Sequence, residues 1–197
     1  EPAPGPPGGR MVSSDGVLAL LHSELEPVKP LPSTGAMAAA AVGLAALIAI
    51  LCTSAVGAGG WAGLTVLQVA CLGVLFAGTI LLAAVSLSSA IRPGSRQRVH
   101  PLIPVVLIAV GFPLMALGLF PAGPREDLLS HGTGCLAAGA MVSTIAGGAA
   151  FAFARRGYST NWSRTGALIG AFGAAVAAAA LQIACSEQES GHLMLWH

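Results

Sequence analysis

The sequence predicts an all-α integral membrane protein with five transmembrane helices and a short N-terminal arm. Of its 197 residues, 55% are hydrophobic and only 9% are charged, whereas a soluble domain usually carries about 25% charged residues. A soluble fold could not cover its surface with so few charges. Ala and Gly dominate the apolar residues, which suits helices that pack closely in lipid. We therefore expect one helical bundle.

Five charge-free segments predict the membrane spans, because each can cross a hydrocarbon core of about 30 Å, which takes roughly 20 helical residues. They run from Ala36 to Val56, Leu64 to Ile91, Leu102 to Phe120, Thr133 to Ala154 and Gly166 to Cys185. Buried helices of a soluble protein would need polar faces, and none of these segments has one. We predict an arm over residues 1–33 and a transmembrane bundle over residues 34–197.

Basic residues predict the orientation, because Lys and Arg in short flanks stay on the cytoplasmic side of a membrane. Eight of the nine basic residues fall on one side of the predicted bundle: Arg10, Lys29, Arg92, Arg96, Arg98, Arg155, Arg156 and Arg164. The N-terminus is thus predicted to be cytoplasmic, and the acidic tail of residues 186–197 extracytoplasmic. The apolar run from Leu193 to Trp196 resembles the start of another crossing, so we expect that a sixth helix has been cut off.

The arm contains one predicted amphipathic helix, which Ser14 or Asp15 is placed to cap. Its apolar face lies opposite Ser23, Glu24 and Glu26 and consists of Val17, Leu18, Leu21 and Leu25. The Pro- and Gly-rich start, residues 1–9, is predicted to be disordered, and prolines after the helix predict a stiff spacer. A helix of about three turns is marginal alone in water. It either lies on the bilayer or the bundle, or lays its apolar face into a groove of a cytoplasmic partner.

Several classes of function are excluded by what the sequence lacks. It contains no nucleotide-binding loop, paired intramembrane carboxylates or nucleophile elbow, so we predict that the chain is not an enzyme. An ion-coupled transporter normally needs an ionisable residue with a partner inside the membrane, and the five spans contain none. The net charge of +1 gives no basic field that would attract nucleic acid directly.

Cysteine and histidine residues are the remaining candidates for chemistry. Cys135 opens the fourth span and Cys185 closes the fifth, so both are predicted at the outer face, where a disulfide can form. His192 and His197 follow Cys185 in the order Cys-x6-His-x4-His, and His131 lies four residues before Cys135.

Thiolate and imidazole groups suit zinc or another soft metal ion. The spacing matches no standard zinc ribbon, so a structural thiol pair with interfacial histidines is the alternative interpretation. The other two cysteines, Cys52 and Cys71, are predicted to be small buried residues.

Three segments carry a resemblance to a known family. Leu21 to Ser33 (LHSELEPVKPLPS) is an acidic, apolar stretch followed by Pro-Val-x-Pro-Leu. In Gly134 to Gly157, Cys135 opens a helix that ends in an Arg-Arg-Gly turn, and Gly166 to Trp196 is a small-residue helix followed by an acidic tail and a Trp. In order and spacing these segments resemble the NrsF-type anti-sigma factors, multi-span proteins of the bacterial inner membrane that hold an extracytoplasmic-function sigma factor.

The resemblance implies a function and a topology. It implies six spans with both ends inside and a cysteine pair, Cys135 and Cys185, that senses heavy metal or oxidative stress. It also implies that the arm, from about Asp15 to Leu31, binds the sigma factor. The candidate partner-binding residues are Val17, Leu18, Leu21, Glu24, Leu25, Glu26, Pro27 and Val28. The chain departs from the family in its tail, where His197 follows Trp196 and no sixth helix is present.

Two other classes of protein stay open at this point. A small inner-membrane redox or metal-handling protein would use the same cysteines without a cytoplasmic partner. A structural subunit of a membrane complex would bury small-residue faces such as Gly166-x3-Gly170 against other membrane proteins. Only the anti-sigma interpretation requires the arm to bind a soluble protein.

Overall fold

The computed structural model describes residues 32–92, 94–97, 99–122, 132–157, 159 and 161–197. The predicted arm helix and His131 lie outside these residues. The described residues form six helices without strands: α1 (Thr34–Val56), α2 (Val66–Ala90), α3 (Leu102–Leu119), α4 (Thr133–Ala154), α5 (Trp162–Ala184) and α6 (Ser190–Trp196). Five of them are long and apolar enough to cross a membrane, which confirms the predicted all-α class and the number of long apolar helices.

The helix ends follow local capping groups. Thr65 caps α2, where its hydroxyl accepts from the Gln68 amide N–H and the Gln68 side chain accepts from the Thr65 amide N–H. Asn161 caps α5, because its side-chain oxygen accepts from the Arg164 amide N–H at 3.0 Å. For this reason α5 begins at Trp162, four residues before the predicted start of the fifth span.

Helix α3 is the least regular of the long helices. Pro113 lacks the amide N–H that would continue the helical ladder. In the turn before it the helix widens into a π-helical segment, Leu107–Gly111. Phe112 and Ala116, just after this segment, are buried against α2, where the Phe112 ring lies 5.6 Å from the ring of Phe76.

Helix α5 is the centre of the bundle and packs against α1, α2, α3 and α4. Small side chains let its neighbours approach closely. A Cβ atom added at Gly173 would lie 2.8 Å from the carbonyl oxygen of Ser143, and one added at Gly139 of α4 would lie 2.9 Å from Leu181 Cδ1. Helices α4 and α5 therefore touch along most of their length.

The long helices alternate in direction, so their ends gather at two faces. At one face the Gln68 side chain donates to the Leu119 carbonyl at 2.8 Å, and the Gly60 amide donates to the Ile183 carbonyl at 3.1 Å. At the other face the Arg92 guanidinium donates to the Thr34 hydroxyl at 3.2 Å. This second face holds all the described arginines: Arg92, Arg96, Arg155, Arg156 and Arg164. We call it the arginine face.

We predict that Gly173→Ala destabilises the bundle, because the added methyl group must push α4 away from α5. Overpacking of this kind typically costs about 1–3 kcal/mol in free energy of unfolding. The matched control is Gly170→Ala in the same helix, where an added Cβ meets nothing within 4 Å. Thermal unfolding in detergent measures both variants, and equal stabilities would contradict the close approach.

Candidate metal centre

Four potential metal ligands meet at the face opposite the arginine face. Cys135 lies in the first turn of α4, Cys185 directly follows α5, and His192 and His197 are carried by α6 and its end. Their ligand atoms all lie within 4.8 Å of one another. The two Sγ atoms are 3.5 Å apart, and Cys185 Sγ lies 3.5 Å from His192 Nε2. The structure thus brings together four of the five residues that the sequence singled out.

A polar turn directs the chain from α5 to α6. The Cys185 amide donates to the Leu181 carbonyl at 2.7 Å, and the Gln188 side chain donates to the Cys185 carbonyl at 2.7 Å. Gln188 also accepts a hydrogen bond from the side chain of Gln182. Gln182 is only 2% exposed, and the sequence analysis did not single it out. The sequence signal for Gln182 was its amide side chain one helical turn before Cys185, in an otherwise apolar segment.

Helix α6 is packed onto the bundle by apolar contacts and one backbone hydrogen bond. Leu193 is fully buried in a cluster with Phe112, Phe120 and Ala178. The Ser190 amide donates to the carbonyl oxygen of Pro121 at 2.9 Å. These contacts place His192 and His197 over the two thiols, with the imidazole rings edge to face at a centroid distance of 5.4 Å.

Two glycines allow the chain to close around this site. A Cβ atom at Gly60, in the turn between α1 and α2, would overlap the carbonyl oxygens of Gln182 and Cys185. A Cβ atom at Gly132, just before α4, would overlap the indole ring of Trp196. Backbone therefore lies directly against the site at both positions, and a larger residue at either one would displace it.

The electrostatics favour neutral side chains. Burial, opposed by a hydrogen bond from the Glu187 backbone and reinforced by neighbouring Cys135, raises the pKa of the Cys185 thiol to about 11. Burial, together with the neighbouring His192, lowers the pKa of His197 to about 4. At neutral pH His197 therefore has a free lone pair for a metal ion. A bound divalent cation would reverse the preference of Cys185, because a coordinating thiol is deprotonated.

The residues present fit a zinc ion. With bonds of about 2.3 Å to sulfur and about 2.0 Å to nitrogen, a tetrahedral zinc site separates two sulfurs by about 3.8 Å and a sulfur from a nitrogen by about 3.5 Å. The observed separations are both 3.5 Å. Both ring nitrogens of His197 are buried and have no hydrogen-bond partner among the described residues. A metal bond would satisfy one of them.

Cys52 lies beside this cluster, which the sequence analysis did not foresee. It lines a cavity of about 170 Å³ between α1, α4 and α5, together with Cys135 and Cys185. The available signal was the position of Cys52 four residues before the end of α1, which places it at about the same depth in the bundle as Cys135 and Cys185. Cys52 is half-buried, as is Cys71 of α2, which does not belong to the cluster.

We predict that the purified chain binds one Co²⁺ ion with the visible absorption of a tetrahedral sulfur and nitrogen site, and that Zn²⁺ displaces it. Cys135→Ser and Cys185→Ser should abolish these bands, because each removes a thiolate ligand, whereas Cys71→Ser should retain them. Titration followed by absorption spectroscopy makes the measurement. Octahedral spectra, or bands unaffected by either cysteine, would contradict the site.

Comparison with known proteins identifies one family. The model of one family, "NrsF: Negative regulator of sigma F", matches residues 21–197, nearly the whole chain. No curated protein and no solved structure matches it. The matched range includes all six helices and the four clustered ligands, so the chain belongs to the NrsF family of negative regulators of sigma factor.

Proposed function

We propose that the chain is a membrane anti-sigma factor that holds an extracytoplasmic-function sigma factor through its N-terminal arm. A metal or an oxidant acting on Cys135 and Cys185 releases the partner. The family gives the negative regulation of a sigma factor. The observation that carries the sensing half is the cluster of two thiols and two imidazoles at the face opposite the arginine face.

The distribution of arginines supports the proposed orientation in the bacterial inner membrane. Basic residues in short loops mark the cytoplasmic side, so the arginine face would be cytoplasmic and the cluster extracytoplasmic. Helix α1 begins at Thr34, which accepts a hydrogen bond from Arg92 at the arginine face. The arm precedes Thr34 and would therefore start on the side where a sigma factor is found.

The packing of α5 supports a route from the cluster to the arm. A change at Cys135 and Cys185 moves the start of α4 relative to the end of α5. Because α5 also packs against α1, this movement would reach the helix that follows the arm. Release from 1% to 99% requires a difference of about 5.5 kcal/mol between the two states. The binding free energy of a structural zinc site, about 10–16 kcal/mol, is large enough.

We predict that Leu21→Arg prevents the sigma factor from copurifying with the detergent-solubilised chain, because a charge on the apolar face of the arm helix cannot enter a hydrophobic groove. Ser13→Arg adds the same charge before that helix and should leave copurification unchanged. Mass spectrometry identifies the partner. If both variants, or neither, lost the sigma factor, the result would count against partner binding by the arm. Orientation is tested separately: a protease should cut the arm in inverted vesicles and not in right-side-out vesicles.

We predict that Cys135→Ser combined with Cys185→Ser leaves the sigma factor permanently held, because neither a metal ion nor an oxidant can then link α4 to α5. A reporter gene dependent on the sigma factor makes the measurement under cadmium or peroxide stress. Cys71→Ser is the control and should respond normally. A normal response in the double variant would refute the sensing half of the proposal.

Two alternatives have support from particular residues. The same cluster could serve a metal-handling or redox protein, which would bind metal without any soluble partner. Gly166 and Gly170 have open space around an added Cβ and are exposed, as a structural subunit that packs against other membrane proteins would require. The copurification experiment separates both alternatives from the anti-sigma proposal, since neither requires the arm to bind a sigma factor.

A further inference from the structure

We propose that a groove between α1 and α2 binds a neutral monoacylglycerol. The acyl chain of this lipid lies between the two helices, and its glycerol hydroxyl donates a hydrogen bond to the side-chain oxygen of Gln182. Such a lipid site goes beyond the proposed function. It depends on that function only for the membrane that would surround the groove, and it involves neither a thiol nor a metal ion.

The groove is a cavity of about 540 Å³, and ligand sites typically measure about 300–1,000 Å³. Its deep wall includes Gln182 of α5 and Phe76 of α2, which are both buried. Its two edges are formed by exposed residues, among them Val42 of α1 and Ala77 of α2. The groove therefore opens sideways between α1 and α2, which is the direction from which a membrane lipid would enter.

The walls of the groove suit a hydrocarbon chain. Gln182 carries the only amide or charged side chain among the described residues that line the groove, and nearly all the others are aliphatic residues or Gly. The groove follows α2 from Val69 to Leu81, a distance of about 18 Å at 1.5 Å per residue. An elongated apolar cavity of this length fits an extended acyl chain.

The polar end of the groove lies at one face of the bundle. Gln182 is two residues before the end of α5, and Trp61 lines the groove from the turn between α1 and α2. Both residues are near the face opposite the arginine face, whereas the groove extends from them along α2 towards the middle of the bundle. Trp is enriched at membrane surfaces. The groove thus places a polar headgroup at the surface and an apolar chain inside, as a membrane lipid requires.

The side-chain oxygen of Gln182 shows that the headgroup must be a hydrogen-bond donor. The Gln188 amide group donates to the Cys185 carbonyl at 2.7 Å, so its oxygen faces Gln182 and accepts from the Gln182 amide group. The Gln182 oxygen is then buried and has no partner among the described residues. An unsatisfied buried acceptor is costly. A hydroxyl group would satisfy it, whereas the carboxylate of a fatty acid accepts only.

The charges at this face favour an uncharged headgroup. All the described arginines lie at the opposite face, and the turn that follows α5 carries Glu187 and Glu189. Among the described residues, a lipid phosphate would therefore meet no basic side chain near the end of α5. A glycerol headgroup supplies hydroxyl donors without a negative charge.

A bound lipid would act on two parts of the bundle. Its hydroxyl would complete the chain of hydrogen bonds from Gln182 through Gln188 to the Cys185 carbonyl. Its acyl chain would fill the space between α2 and α1, the helix that the arm precedes. A ligand that binds the folded chain stabilises it, so we expect thermal unfolding in detergent to shift to a higher temperature when the lipid is added.

The experiment titrates the full chain, purified in detergent, with monooleoylglycerol brominated at its double bond. Bromine quenches nearby indole rings, so the fluorescence of Trp61 should fall to a plateau, and monooleoylglycerol without bromine should restore it. Trp162 and Trp196 do not line the groove. Trp61→Phe should therefore abolish the saturable quenching.

One pair of variants and one pair of ligands sharpen the test. Gly73 lines the groove and has open space around an added Cβ, so Gly73→Leu should fill the groove and weaken binding more than about tenfold. Gly43→Leu is the matched control, because Gly43 is equally open but does not line the groove. Methylation of both glycerol hydroxyls removes the donors and should weaken binding at least about tenfold, since the Gln182 oxygen stays unpaired.

Several results would overturn the proposal: quenching without a plateau, equal binding by Gly73→Leu and the natural chain, or equal binding of the methylated lipid. Stronger displacement by oleate or by a quinol would assign the groove to a different ligand and overturn it as well. So would a dimer, detected by light scattering, in which a second copy shields Trp61 from the lipid. Because no sigma factor is present, each of these results leaves the proposed binding function of the arm intact.

Discussion

The close approach of α4 and α5 is the contact on which the rest of the structure depends. Apolar helices surrounded by lipid would have no hydrophobic force between them, and van der Waals packing would have to hold them together. Gly173 against Ser143 and Gly139 against Leu181 permit that packing. The same pair of antiparallel helices brings the start of α4 to the end of α5. The proximity of Cys135 to Cys185 thus results from helix packing, and the cluster of potential metal ligands depends on that packing.

The sequence was sufficient for the features set by composition and length. Charge-free segments of about 20 residues require helices in a bilayer, because backbone groups have no other partners there. The pairing of Cys135 with Cys185 was within reach for a related reason, since a short connection makes antiparallel neighbours of α4 and α5. The start of α5 was missed by four residues because the capping role of Asn161 depends on a local backbone conformation that charge counting does not see.

The remainder of the site depends on contacts between distant parts of the chain. The position of α6 is set by Leu193 against Phe120 and by the Ser190 hydrogen bond to Pro121. Neither contact has a signature in a hydropathy pattern. Gln182 was not singled out, and Cys52 was interpreted as a small buried residue, because a single amide or thiol in an apolar helix gives no pattern that indicates a site. Only the rotation of α1 about its axis places Cys52 in the cavity beside the cluster, and only the turn after α5 brings Gln188 to the side chain of Gln182.

Gly60 and Gly132, the two glycines beside the cluster, affect how natural sequence variants should be interpreted. Neither Gly60 nor Gly132 has a side chain, yet a single methyl group at either position would collide with backbone or with the Trp196 ring. A substitution at either position would therefore displace the main chain or the Trp196 ring beside the cluster while leaving every thiol and imidazole unchanged. A comparison of the ligand residues alone would judge such variants neutral, although the shape of the main chain at Gly60 and Gly132 is part of what positions the cluster.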